Sequence, residues 1–427
     1  MVEAIGTAPA TAPRWRPWSI WGLGALSFVY AFFQRVAPSV MIDPLQREFA
    51  LDAGAVGNLV AFYFYSYAAM QVPIGLIVDR FGPRRLLTFG IAVCALATAG
   101  FALSHDVLLA TLCRFLIGFG AGFGFVSTVT LAARWFPPSR FAQFVGMTMG
   151  SGTVGGLFAQ GPLGWAVELV GWRPALLASA GLGVLLSAAL WLVVRDWPPG
   201  PREHQRHESL RGLLGSLGRV LSRGQNLLIC CVSGAMTAPL LAFGGLWGVA
   251  WLMQTKGYTR PEAGATASLL LLGWVFGSPL AGWVSDRLKR RKPVLQAGCV
   301  ISLATLAAMI YLELPAPLLW ACLFVTGAAS GSVSCSFALA RSLNPANDTG
   351  GVLGLVNCSV VASGALFQPL IGLLLDSRWE GATHDGVRVY SQAAFEFALS
   401  SMIVVLVAAL AISLLVRERK AGEAPPP

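Results

Sequence analysis

Charge is what this sequence has least of. Only 12% of its 427 residues are Asp, Glu, Lys or Arg, while 56% are hydrophobic and the mean hydropathy is +0.67. Soluble domains carry about a quarter charged residues, so a water-exposed globular fold is excluded. Histidine is nearly absent: the four copies (105, 204, 207, 384) all fall in loops. The eight cysteines (94, 113, 230, 231, 299, 322, 335, 358) fall in apolar runs without metal-ligand spacing or histidine partners, and read as small buried side chains. No nucleophile–base pair or metal set converges, so neither an enzyme, a metal nor a cofactor is expected. The glycines at 118, 120, 122 and 124, and at 150, 152, 155 and 156, lack the strand–turn–helix setting of a phosphate loop. They read as close helix-packing surfaces.

What is present is a series of membrane-length apolar runs, each near the ~17–25 residues that cross a bilayer. Twelve are read: 18–41, 54–77, 86–104, 107–133, 141–166, 174–194, 226–253, 263–284, 294–313, 317–340, 350–375 and 393–416. Backbone in lipid must satisfy its own hydrogen bonds, and no period-two alternation suggests a barrel. The expected fold is an all-α membrane protein with twelve transmembrane helices in two six-helix bundles, at 18–194 and 226–416. Residues 1–17 are expected to form a disordered N-terminus, 195–225 a basic linker and 417–427 a short tail. Within the linker, Leu210 to Leu221 has the pattern of a helix lying on the membrane surface.

Basic residues set the orientation. With both termini in the cytoplasm, 22 Lys/Arg lie in cytoplasmic segments, 6 in outer loops and 2 inside helices, while acids split as 9 inside and 11 outside. The net charge of +10 is thus an insertion signal and calls for no nucleic-acid partner. The lysine-poor basic set hints at a bacterial source, so a bacterial inner membrane is the expected location.

One charged phrase occurs twice. Gly75-Leu76-Ile77-Val78-Asp79-Arg80-Phe81-Gly82-Pro83-Arg84-Arg85 returns as Gly282-Trp283-Val284-Ser285-Asp286-Arg287-Leu288-Lys289-Arg290-Arg291, 207 residues later and about half a chain away. Each copy joins the second helix of its half to the third. With Arg114-Phe115-Leu116-Ile117-Gly118-Phe119-Gly120 on helix 4, this resembles the major facilitator superfamily. The resemblance implies alternating access by two rocking bundles, with the doubled loop as a conformational latch. Its candidate residues are Gly75, Asp79, Arg80, Gly82 and Arg84, and Gly282, Asp286 and Arg287.

Helix 1 narrows the resemblance. Tyr30-Ala31-Phe32-Phe33-Gln34-Arg35-Val36-Ala37-Pro38-Ser39, with Tyr67-Ala68-Ala69-Met70-Gln71-Val72-Pro73-Ile74-Gly75 on helix 2, resembles the branch carrying organic anions and sugar phosphates. That branch places an arginine on helix 1 facing the cavity. Many of its members have an acid beside this arginine; here the neighbour is Gln34, so proton coupling through that position is not expected. Helix 5, Gly155-Gly156-Leu157-Phe158-Ala159-Gln160-Gly161-Pro162-Leu163-Gly164-Trp165, has the Gly-Pro of multidrug antiporters but not their trailing Gly-Gly.

Only Arg35 and Arg114 are ionisable within helix interiors. A mid-bilayer charge costs at least ~2.5–3.5 kcal/mol and must face a cavity or a partner. Helix directions put both at similar depth, and no acid falls in the middle of a span to neutralise them; the outer ones map to loops or helix ends. The missing negative charge is then the substrate's carboxylate or phosphate, gripped by planar forks. Arg35 is the first candidate anchor and Arg114 the second; the alternative for Arg114 is a bond to neighbouring backbone carbonyls. Tyr30, Gln34, Tyr63, Tyr67, Gln71 and Gln160 are further candidate contacts. From the C-terminal half, expected to bury no charge, the candidates are Trp247, Trp251, Asn357 and Gln368.

The function expected is movement of a small organic anion across the bilayer, with the lipid bilayer and the substrate as partners and a monomer as the working state. Two alternatives stand: a multidrug-type efflux carrier of apolar or cationic compounds, and a transport-fold ligand sensor.

Overall fold

The structure, a computed structural model, describes residues 15–71, 73–137, 140–198, 215, 218–345 and 348–418. The N-terminal half runs as α1 (Trp15–Val36, extended by a 3-10 turn Ala37–Val40), α2 (Ala53–Met70, continued by Ile74–Phe81), α3 (Pro83–Leu103), α4 (Val107–Trp135), α5 (Phe141–Val170) and α6 (Trp172–Val193). The C-terminal half runs as α7 (Gly224–Lys256), α8 (Arg260–Leu288), α9 (Lys292–Tyr311), α10 (Ala316–Ser342), α11 (Thr349–Ser377) and α12 (Gln392–Leu415). Ten of these helices are long and apolar enough to cross a membrane; α2 and α5 complete the two sets of six. The end of the molecule holding Trp15 and Glu418 is called the terminal end, and the opposite one the far end.

Several helix starts are set by local chemistry. Asp52 accepts from the Ala55 N–H at 2.8 Å at the head of α2, Asp106 from Leu109 at 2.9 Å at α4, and Ser391 from Ala394 at 3.3 Å at α12. Each satisfies a donor that the first helical turn leaves open. At Gly82 the backbone has φ +84°, a conformation glycine takes without a steric cost.

Four elements differ from the sequence reading. Residues 15–17, expected as disordered, already belong to α1; Pro17 is tolerated in a first turn because its missing N–H is not needed there. The second span is not continuous but breaks between Met70 and Ile74, where Pro73 supplies no N–H to carry the ladder onward. The seventh carries a π-helical stretch, Pro239–Trp247, and the tenth a 3-10 turn, Gly331–Val333. Of the expected surface helix at 210–221, residues 218–222 are helical, while 210–214, 216 and 217 lie outside the described residues.

The bundles meet along two seams, α2 against α11 and α5 against α8. Small residues let the backbones touch. A Cβ on Gly57 would run into the Gln368 carbonyl and Pro369 Cα, and one on Gly264 would collide with the Gln160 carbonyl. The seams are not uniform along their length. Gly156, Gly164 and Gly264 meet the opposite bundle, whereas toward the terminal end Gly146 and Gly150 on α5 and Gly282 on α8 face open space.

This packing predicts that Gly57→Leu forces α2 and α11 apart. The expected outcomes are a Tm several degrees lower, in line with a core overpacking cost of about 1–3 kcal/mol, and a longer α2–α11 distance between spin labels. An unchanged distance and Tm would show that the seam does not need the glycine.

Candidate functional site

Arg35 sits in the last turn of α1, at 8% exposure, among aromatic side chains. Its guanidinium carbon lies 4.7 Å from the Phe32 ring centre, 4.6 Å from Tyr67, 5.5 Å from Tyr63 and 6.0 Å from Phe64. Tyr63 and Tyr67, one turn apart on α2, are stacked with centroids 5.8 Å apart. The Arg35 Nε–H donates to the Tyr63 hydroxyl at 3.4 Å, and that hydroxyl donates on to the Ala31 carbonyl at 3.3 Å. A desolvated cation–π contact is worth up to about 2 kcal/mol. A few such contacts match the ~2.5–3.5 kcal/mol insertion cost, so the charge is held without a carboxylate.

Arg114, on α4 and 2% exposed, lies on the same tyrosine, 5.3 Å from the Tyr63 ring centre. The two arginines expected at similar depth therefore share one ring between them. Arg114 Nη1 donates to the Gln34 carbonyl at 3.0 Å, which ties α4 to the residue before Arg35. Its Nε and Nη2 are buried with no hydrogen-bond partner among the described residues. Neither arginine has an ion pair there. Gln34 Nε2 reaches Ser179 on α6 at 3.2 Å, and Tyr30 is buried one turn earlier on α1.

The remaining expected contacts separate from this pair. Asn357 Nδ2 donates to Gln71 Oε1 at 2.8 Å across the α2–α11 seam. Gln160 Nε2 donates to the Gly244 carbonyl at 2.6 Å, again between bundles, and Gln368 Nε2 to the Leu241 carbonyl at 2.9 Å. Both carbonyls belong to the π-helical stretch of α7, whose i→i+5 pattern shifts the ladder away from its regular partners. Trp247 is 1% exposed with its indole donating to the Gln368 carbonyl at 2.9 Å. Trp251 is 2% exposed and packs on Phe243. Gln160, Gln368 and Trp247 thus spend their donors on the seam around α7.

At the far end a charged clamp joins the bundles. Asp376, at the end of α11, accepts from the Gly54 N–H at 2.7 Å and the Ala53 N–H at 3.2 Å, so one bundle caps the helix of the other. Arg388 Nη1 at 2.9 Å and the Tyr390 hydroxyl at 2.6 Å also hold this carboxylate. Arg260 on α8 donates to the Val40 carbonyl at 2.6 Å and lies 3.5 Å from Asp43. A carboxylate at a helix N-terminus is favoured by the exposed N–H groups and the dipole. Beside it, Arg173 donates to Glu48 at 2.6 Å, and this bond holds the Glu48 carboxyl below the usual carboxylate range. A cavity of about 550 Å³ lies at this rim, lined by residues including Arg47, Glu48, Glu168 and Arg260. It does not include Arg35 or Arg114.

The loop residues expected as a latch bond differently. Arg84 Nη2 donates to the Trp191 carbonyl at 2.6 Å, and its backbone N–H to Asp196 at 2.7 Å, with Gly82 against the same Asp196. Those bonds stay within the N-terminal bundle and the first residues of the linker. Arg80 is exposed beside Phe81. Asp286 and Arg287 are exposed, with Arg287 4.7 Å from the Trp283 ring centre and Gly282 in open space. The Asp79 side chain and the surroundings of Gly75 lie outside the described residues.

The C-terminal half does bury a charge, contrary to expectation. Asp348, 2% exposed, is held by Arg219 at 2.8 Å and Arg223 at 3.2 Å from the end of the linker. Asn226 and Asn344 exchange bonds of 3.0 and 2.7 Å beside it. No signal for this burial stands in the sequence around Asp348, whose loop 341–349 holds one basic residue, Arg341.

Two six-helix bundles joined at the far end, with two buried arginines toward that end of α1 and α4, define a polytopic membrane protein. The Major Facilitator Superfamily profile matches residues 23–249 and again 235–427, and the chain belongs to that superfamily. It is similar to a probable hexose phosphate transport protein of Chlamydia pneumoniae, 23% identical over 62% of this chain and 63% of that one. It also resembles a D-galactonate transporter of Escherichia coli O6:H1, 24% identical over 82% and 87%. The chain spans less than two thirds of the length of the first curated relatives it matches. In fold it matches the inward-facing, occupied structure of a bacterial homologue of the human lysosomal transporter Spinster, with TM-score 0.79, 17% identity and coverage of 95% and 97%.

Asp376→Asn is predicted to loosen the far end, because the amide loses the charge and one acceptor oxygen and cannot accept all the bonds that the carboxylate takes from two backbone donors, Arg388 and Tyr390. The loss is of order 1–3 kcal/mol. Thiol labelling of a cysteine placed at Ala53 should then speed up relative to the parent. Equal labelling rates would show that Asp376 does not hold the far end together.

Proposed function

We propose that this protein is a secondary carrier of a small organic anion, a carboxylate or a phosphorylated metabolite, and works by alternating access. The observation that carries this reading is Arg35, enclosed by aromatic rings in the last turn of α1 with no carboxylate against it among the described residues. A guanidinium held in that way is preorganised for an incoming anion, which supplies the charge that the chain does not. The hexose phosphate and galactonate relatives support the same substrate chemistry.

In this reading the excess of basic residues at the terminal end lies in the cytoplasm of a bacterial inner membrane. The structure then corresponds to the inward-facing state: the Asp376 and Arg260 clamps close the far side, and the substrate reaches Arg35 from the cytoplasm. Arg114 acts as a positioning residue, since its bond to the Gln34 carbonyl fixes the turn that presents Arg35. Tyr67 and Tyr63 line the anion's approach; Asn357 and Gln71 hold the seam below. Asp79, Arg80, Asp286 and Arg287 become bridging groups only when the terminal end closes. Catalytic chemistry has no place in this cycle.

The test is ligand-induced thermal stabilisation of purified protein across sugar acids, sugar phosphates and lipophilic cations. An anion should raise the Tm of wild type and not of Arg35→Ala, with about a hundredfold loss of affinity for a lost charge-assisted pair of roughly 3 kcal/mol. Arg114→Ala should weaken binding less, and Arg35→Lys should recover part of it. Stabilisation by cations, or an anion response that survives Arg35→Ala, would favour the efflux reading.

A further inference from the structure

Arginines from three separate elements converge on two tryptophans at the terminal end of the N-terminal bundle. Arg16, in the first turn of α1, lies 6.0 Å from the ring centre of Trp135 at the end of α4. The Trp135 indole donates to the Arg195 carbonyl at 2.9 Å, just past the end of α6. Arg134 lies 4.2 Å from the ring centre of Trp197, in the same stretch of chain as Arg195. Arg195 is exposed and spends Nη1 on the Leu192 and Val194 carbonyls, at 3.0 and 2.9 Å. Its Nε and Nη2 make no bond among the described residues, and neither does the Arg16 guanidinium.

The neighbouring acid does not neutralise this cluster. Asp196 is engaged at the head of α3, where it accepts from the Arg84 N–H at 2.7 Å. The same end of the C-terminal half is built differently: Arg219 and Arg223 share the buried Asp348, and Arg290 lies 3.5 Å from Glu418. Membrane insertion asks only for basic residues on one side; it does not gather them over two indoles.

An apolar surface leads up to the cluster. Leu182, Leu185 and Leu192 are exposed on one stripe of α6. Trp191 beside them, and Trp15 and Trp18 at the head of α1, are exposed as well, as aromatic residues are at a membrane interface. Acyl chains fit against the leucines, and a phosphodiester at the level of the tryptophans meets the guanidiniums. A zwitterionic headgroup brings its own cation to that phosphate; an anionic headgroup leaves the place to arginine.

We propose that Arg16, Arg134 and Arg195 bind the headgroup of one anionic phospholipid, whose acyl chains lie along the exposed α6 stripe. Basic pockets between helix ends at a membrane surface take headgroups of this kind. The phosphate then ties the ends of α1, α4 and α6 together where the linker leaves the bundle. The inference does not depend on what Arg35 carries; it needs only that this end of the bundle lie at the membrane surface.

The experiment titrates the purified full chain in neutral detergent with phosphatidylglycerol, phosphatidylcholine or soluble glycerol phosphate, reading Tm and lipid adducts in native mass spectra. Phosphatidylglycerol should raise the Tm saturably and leave a retained adduct, and phosphatidylcholine should do neither. Arg16→Gln combined with Arg195→Gln should weaken the lipid response at least about tenfold, at about fivefold for each basic group removed. Lys289→Gln combined with Arg341→Gln, exposed basic residues at the same end of the C-terminal half, should leave it unchanged. A photoactivatable phosphatidylglycerol should crosslink to wild type around Leu192, and this alone decides if the Arg16/Arg195 variant does not fold. An undiminished response in that variant, an equal loss in the Lys289/Arg341 variant, or labelling spread evenly over other helices would overturn the site. A glycerol phosphate response lost together with Arg16 and Arg195 would make it a site for free phosphate and overturn the lipid. None of these outcomes bears on anion binding at Arg35, which its own variant tests.

Discussion

Two guanidiniums held in the interior of a membrane bundle, with no carboxylate against either among the described residues, constrain everything else in this molecule. A bare charge there would not be tolerated. Arg35 is tolerated because Phe32, Tyr63, Phe64 and Tyr67 present ring faces to it, and Arg114 because Tyr63 and the Gln34 carbonyl share it. The tyrosines on α2 do two jobs at once: they steady the cations and form the wall against which α1 and α4 pack. Gly118 is needed where α4 crosses the Tyr63 backbone.

The far-end clamp follows from the same economy of charge. Most of the acids sit at the far end, and there they join the bundles. Asp376 closes the head of α2 from the opposite half, and Arg260 reaches back to the 3-10 turn after α1. Both contacts are short, partly buried and made of groups that water can solvate once separated. Bonds of that kind can form and break in a cycle, which dry apolar packing does less readily. At the terminal end the doubled loop bonds within its own bundle, through Arg84, Trp191 and Asp196. That is consistent with bundles parted there.

How much of this was legible in the sequence depended on range. The twelve spans, the two halves and the similar depth of Arg35 and Arg114 follow from local apolar runs and from helix direction, both of which are one-dimensional properties. The Asp376 cap was not legible, because its partners at Ala53 and Gly54 lie more than three hundred residues away and an acid at a helix end looks like any loop acid. The π-helical stretch of α7 was also hidden, since Pro239–Trp247 reads as an ordinary apolar run until Gln160 and Gln368 are seen bonding to its carbonyls. The burial of Asp348 was not legible either, because it depends on Arg219 and Arg223 folding back from the linker.

The most direct measurement of the central claim is uptake of a labelled sugar acid or sugar phosphate into proteoliposomes, with Arg35→Ala alongside wild type. The account predicts saturable uptake of an organic anion by wild type, competed by related anions, and none above background in the variant. Equal uptake by both proteins, or uptake confined to lipophilic cations, would contradict it.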